Sequence, residues 1–120
     1  MRLQNEYYGK PGYLLVIVSG LLTDTDAVLK LNEMRDEAEA RNINRLLLDL
    51  RAMQMPPSEF TRYVSGEHLA KVLRPPIKVA AFAKPEIINH FAENTAVNRG
   101  AWFKIFTEET QAIEWLLEGL

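Results

Sequence analysis

From Arg2 to Tyr8 polar and apolar residues alternate, and Gly9-Lys10-Pro11-Gly12 then supplies turn chemistry before the apolar run Tyr13 to Val18. This predicts a hairpin with a polar edge strand, its second strand ending at Gly20. Thr23, with Asp26 three residues on, has the form of a capping box with the shorter acid, so a helix follows. Ala27, Leu31, Met34 and Ala38 recur at helical spacing along one face, Lys30, Glu33, Asp36, Glu37 and Glu39 stay wet, and Asn42 offers a left-handed stop.

The next stretch, Arg45-Leu46-Leu47-Leu48-Asp49-Leu50-Arg51, is a short apolar run with a charge at each end, the pattern of a strand buried on both faces. It is the natural centre of the sheet. Ala52 to Pro57 reads as a loop, because the paired prolines forbid a helix before Ser58, whose hydroxyl suits an N-cap. Phe60, Tyr63, Val64, Leu69, Val72 and Leu73 form the apolar face of the second helix, interrupted by Gly66 and stopped by Pro75-Pro76. Ile77 to Phe82 is a strand with Ile77, Val79 and Ala81 on one side and Lys78, Ala80 and Phe82 on the other, Lys78 marking an end that meets water. Pro85 and Glu86 open a third helix packed by Ile87, Ile88, Phe91 and Thr95 and closed by Gly100. A strand from Trp102 to Phe106 leads to a fourth helix, capped by Thr107, with Ala112, Ile113, Leu116 and Leu117 inward.

Two strands followed by alternating helices and strands require parallel pairing through right-handed crossovers after the opening hairpin, an α/β fold with a five-stranded mixed sheet and four helices. No repeat, linker or low-complexity tract divides the chain, so residues 1–120 are expected to form one domain. The absence of cysteine removes disulfides, thiolate catalysis and thiolate metal sites. With 14 basic against 16 acidic residues, the net charge of -2 argues against broad electrostatic binding to nucleic acid or an anionic membrane. The apolar run Tyr13 to Val18 is too short to span a bilayer and the N-terminus lacks a signal pattern, so a cytoplasmic protein is expected, without stable membrane insertion.

Candidate chemistry is sparse. Asp49, near the C-terminal end of the central strand, stands where open α/β sheets bind ligands or partners, or else accepts backbone hydrogen bonds from the turn that follows. His90 and Glu93, three apart on a helix, are a minimal proton-transfer or metal pair, but His68 is the only other histidine and nothing in the sequence brings it close. The segment Ser19-Gly20-Leu21-Leu22-Thr23 lacks the glycines and lysine of a phosphate cradle. No catalytic residue, metal site or cofactor is assigned. Ala52-Met53-Gln54-Met55-Pro56-Pro57 sets two methionines beside prolines, either a deformable apolar patch for a partner helix or greasy ligand, or a cover for the sheet. If all four helices packed on one side, Leu15, Ile17 and Leu47 on the other would leave an area that a second copy could cover, giving a homodimer.

The order and spacing of Val16-Ile17-Val18-Ser19-Gly20, of Leu46-Leu47-Leu48-Asp49-Leu50-Arg51, of Ile77-Lys78-Val79-Ala80, and of Phe106 through Glu108-Glu109 to Ala112-Ile113-Glu114-Trp115-Leu116 resemble the STAS domain. The likeness is to the fold of bacterial anti-sigma-factor antagonists, and within it to the small stand-alone SpoIIAA-like branch. The resemblance implies a non-enzymatic module that binds partner proteins, switched in some branches by phosphorylation of a serine or threonine directly after the central-strand aspartate. Here that position is Leu50, and the family's Asp-Ser-Ser/Thr-Gly run is replaced by Asp49-Leu50-Arg51-Ala52. The sequence therefore points to a regulatory interaction module whose partner-facing surface is Asp49, Arg51, Met53, Met55, Ser58 and Tyr63. Its alternative is carriage of a small apolar or lipid-like ligand between the second helix and the sheet.

Overall fold

A computed structural model describes residues 1–54, 58–88 and 91–119 of the chain. Strand β1 (Gln4–Lys10) turns through Pro11 and Gly12, whose φ of 87° suits the second corner of a type II turn, into β2 (Tyr13–Leu21). Helix α1 (Asp24–Ala40), β3 (Arg45–Gln54), α2 (Glu59–Val72), β4 (Lys78–Phe82), α3 (Phe91–Asn98), β5 (Trp102–Phe106) and α4 (Glu109–Leu116) follow. The five strands lie in sequence order, β1 antiparallel to β2 and the rest parallel.

Right-handed crossovers that step in one direction across a sheet deposit their helices on one face. Hence α1, α2 and α3 share a face with Leu14, Val16, Val18, Leu46, Leu48, Val79 and Ala81. Helix α4 follows the last strand and folds back onto the opposite face, where Ala112 and Leu116 meet Leu47, Ala80 and Phe82. The all-on-one-side arrangement is thus overturned. Leu47 is fully buried, while Leu15 and Ile17 stay partly exposed beyond the reach of α4.

Several local expectations hold. Thr23 Oγ1 accepts the Asp26 N–H at 3.2 Å, Ser58 Oγ accepts the Thr61 N–H at 3.3 Å, and Asn42 adopts φ 54°. Asp26, however, does not close the box; its carboxylate is taken by Arg2 Nη2 at 2.7 Å. Other expectations are corrected. Residues 52 to 54 are strand, because β2 runs on to Leu21 and pairs Ser19, Gly20 and Leu21 with Ala52, Met53 and Gln54. The register gains one residue of β3 between the Ile17–Asp49 and Ser19–Ala52 pairs, a bulge that turns Met53 toward the three-helix face.

Gly66 does not interrupt the α2 face but defines it: a Cβ there would lie 2.5 Å from the Ala92 carbonyl oxygen, so the two helices touch backbone to backbone. Phe60, assigned to the core by its spacing, is 64% exposed. Pro85–Ile87 is a single 3-10 turn closed by Ile88 N–H on Pro85 O, apart from α3 as described, Phe91–Asn98. Glu108, not Thr107, precedes α4, since its carbonyl accepts the first helical bond from Ala112. Met55, His90 and the side chains of Ile87 and Phe91 lie outside the described residues.

Candidate functional site

The C-terminal end of β3 positions most of the candidate residues, but the bulge distributes them over two faces. Asp49 stands in the row formed by Ile17 and Phe82 and is only 7% exposed. Its carboxylate accepts Arg51 Nε at 3.0 Å and Nη2 at 2.8 Å, and also the Arg51 backbone N–H at 3.1 Å. Burial pushes the carboxyl upward, yet these three donors outweigh it and hold the group below its ordinary range. The guanidinium lies 4.9 Å from the centre of the Phe82 ring, sharing charge between a carboxylate and an aromatic face. By accepting the Arg51 backbone N–H, Asp49 braces the bend of its own strand.

Met53 points the other way. It packs against the main core and lines a partly open cavity of about 120 Å³ between the sheet and α1 to α3. The walls are mostly carbon, from residues such as Val18, Leu31, Met34, Leu48 and Leu69, with Lys30, Arg62 and Ser65 contributing polar groups. An apolar cavity of roughly 150 Å³ accepts a benzene-sized molecule, so this one suits a ring or a short acyl segment rather than a whole lipid.

Ser58 and Tyr63 share a third location, the first turns of α2. Phe60 stacks on Tyr63 with ring centres 6.4 Å apart. The Tyr63 hydroxyl donates to Glu67 Oε2 at 3.0 Å and accepts from Arg99 Nη2 at 2.9 Å, and the Arg99 guanidinium sits 5.2 Å from the ring centre. Exposed Ser58, exposed Phe60 and half-buried Tyr63 thus form an aromatic step tied to Arg99, just past the end of α3. The sequence reading sets Phe60 with Tyr63 beside the methionine loop, on the apolar face of the second helix, but leaves it out of the partner-facing set. Its position at the N-terminal edge of an apolar stripe, next to a cap and to prolines, was the available signal.

Other polar groups tie elements together. His68 Nε2 lies 2.8 Å from Asn32 Oδ1 between α2 and α1, and burial, aided by Lys71 and Arg35, keeps the ring below its ordinary pKa. Glu93 Oε2 accepts the Ile105 N–H, fixing α3 to β5. Lys78, expected to meet water, is 3% exposed: its amine donates to the Trp115 carbonyl and lies 4.8 Å and 4.4 Å from the Trp102 and Trp115 ring centres. Desolvation lowers its pKa. With Arg45 Nε donating to Leu116 O at 3.0 Å, it satisfies the carbonyl end of α4, where positive charge is favoured. Among the described residues no group of three or more His, Asp or Glu is placed to hold a metal ion, and no helix is long and apolar enough to cross a membrane.

No protein-family model and no curated protein matches the sequence. Solved structures do. An anti-sigma factor antagonist from Mycobacterium paratuberculosis aligns over 95% of this chain and 93% of its own, with a TM-score of 0.66 at 17% identity. An uncharacterized protein from the DUF3478 family with a SpoIIAA-like fold, from Shewanella loihica PV-4, aligns over 96% of this chain and 94% of its own, with a TM-score of 0.57 at 19% identity. Both alignments run along nearly the whole chain, and the protein has the SpoIIAA-like α/β fold.

Proposed function

We propose that this protein is a non-enzymatic regulatory module of the cytoplasm that acts by binding a partner protein. The partner docks on the start of α2, with Ser58, Phe60 and Tyr63 at its centre; Met55, also expected to face the partner, falls outside the described residues. The observation that carries this reading is Phe60, a phenylalanine 64% exposed and stacked on Tyr63. Aromatic and arginine side chains dominate interface energetics. Arg99 stands beside the step, its charge shared with Glu67, so the apolar anchor and not net charge is what the surface offers a partner. The fold likeness to an anti-sigma factor antagonist supports a protein partner. Met53 packs in the core on the three-helix face and Asp49 braces Arg51 on the other face, so neither is placed in the docking surface. Phosphorylation at the position after the central aspartate has no hydroxyl to act on, since Leu50 stands there.

The test is a quantitative pull-down from a lysate of the source cell with wild type and Phe60→Asp. The variant is expected to lose the captured protein while its melting temperature stays within the scatter expected of a surface change. Retention of the partner by a folded Phe60→Asp variant contradicts the assignment.

The cavity favours a second reading, in which an acyl segment or ring inserts between α2 and the sheet. Native mass spectra of purified protein then carry a bound small molecule, and Leu69→Trp, which fills the space, removes it. A clean apo mass after lipid incubation excludes carriage.

A further inference from the structure

One side of the sheet ends in β1, a strand of seven residues with no proline inside it. Lys10 and Tyr13 flank a two-residue turn and exchange both backbone bonds, so by alternation Lys10, Tyr8, Glu6 and Gln4 engage β2. The backbone groups of Asn5, Tyr7 and Gly9 therefore point away from the sheet, and no described residue bonds to them. Their side chains do not cover the edge. Asn5 Nδ2 donates to Lys30 O at 3.2 Å, Tyr7 OH donates to Glu33 Oε1 at 2.8 Å, and Gly9 has no side chain, with the Arg41 guanidinium packed beside it.

We propose that this edge binds a second copy of the chain, two β1 strands pairing antiparallel about a twofold axis at Tyr8 to make one continuous sheet. Antiparallel pairing must match outward residues to outward residues. With Tyr8 opposite its own copy, Tyr7 exchanges backbone bonds with Gly9 of the second copy, and Gly9 with Tyr7. On the α4 side of the sheet, Glu6 then faces Lys10 of the second copy, and the symmetry repeats that pair. On the α1 side, Arg41 beside Gly9 meets the Tyr7–Glu33 pair of the other chain. Charges on an edge strand ordinarily keep strands apart. Here their signs are opposite at the positions that one twofold brings together. Moving the axis to Tyr7 sets Glu6 against Tyr8 and Gln4 against Lys10 and leaves both charges unmatched. Tyr8, 44% exposed, supplies apolar area at the axis, and half-buried Leu15 lies in the same row.

The experiment uses the full chain. Sedimentation over a concentration series is expected to show a monomer–dimer equilibrium. Glu6→Lys and Lys10→Glu each weaken it roughly tenfold by opposing like charges, and the Glu6→Lys/Lys10→Glu double variant regains it. Because the chain has no cysteine, Tyr8→Cys reports the axis directly: directly opposed, non-hydrogen-bonded positions lie close enough for a disulfide, so mild oxidation links the variant into dimers. Leu29→Cys, on the exposed face of α1, is the control that stays unlinked. A monomer at every concentration, a dimer indifferent to charge reversal, or Tyr8→Cys linking no faster than Leu29→Cys overturns the proposal. A β1 edge that takes an extended segment of some other protein gives the first of these results.

Discussion

Asp49 is a carboxylate carried almost out of water by a strand of leucines, and it stays charged because its own strand supplies the donors. The folded state holds the ionised form more tightly than the unfolded chain does, so its contribution to stability is complete above the ordinary carboxylate range. It is lost as pH falls through the lowered folded value. Asp49→Asn is expected to cost about 1 kcal/mol near neutral pH, since the amide loses the charge-assisted bonds to Arg51. That difference shrinks toward zero in acid, as chemical denaturation at a series of pH values will show; a cost unchanged by pH contradicts the role. The sequence already singled out this residue, because an acid in an apolar run demands a partner, and the partner was two residues away. Lys78 demanded one equally. Its compensation comes from the carbonyl end of a helix 37 residues further on, which no local pattern reveals.

Elements were legible where one periodicity governed them. The hairpin, the α1 stripe, the central strand and the order of crossovers all follow from positions that are apolar at spacings of two or of three and four. Boundaries set by a neighbouring element were not. Strand β3 outruns its leucines because β2 offers it pairing groups, and Gly66 reads as a weak point although close approach of α3 requires it. This last feature gives a prediction of sign. Alanine in place of glycine favours a helix by about 1 kcal/mol, but the new Cβ would sit 2.5 Å from the Ala92 carbonyl oxygen and force α2 from α3. Gly66→Ala should therefore destabilise the protein by about 2 kcal/mol in net terms, read from the denaturant midpoint at unchanged slope. A stabilised variant places the helices further apart than described.

At the scale of the whole molecule the fold is asymmetric: three helices seal one face of the sheet and one short helix covers half of the other. The direction of the crossovers fixes this, and the sequence reading reached the element order without that consequence. The proposed docking surface was legible only in outline. The sequence reading took the end of β3 and the start of α2 as one patch, because a bulge that sends Met53 inward and leaves Arg51 outward has no signature in the pattern of polar and apolar positions. Phe60 went to the core for the converse reason, as helical spacing says which side a residue faces and not where the covering neighbour ends.

Amide hydrogen exchange of the protein, free and bound to the partner it captures, measures the docking surface without presupposing any side chain. Slowed exchange on binding is expected to concentrate in the first turns of α2, around Phe60 to Tyr63, with α4 and the Trp102–Trp115 end of the sheet unchanged. Protection centred on α4, or absent from the start of α2, contradicts the account.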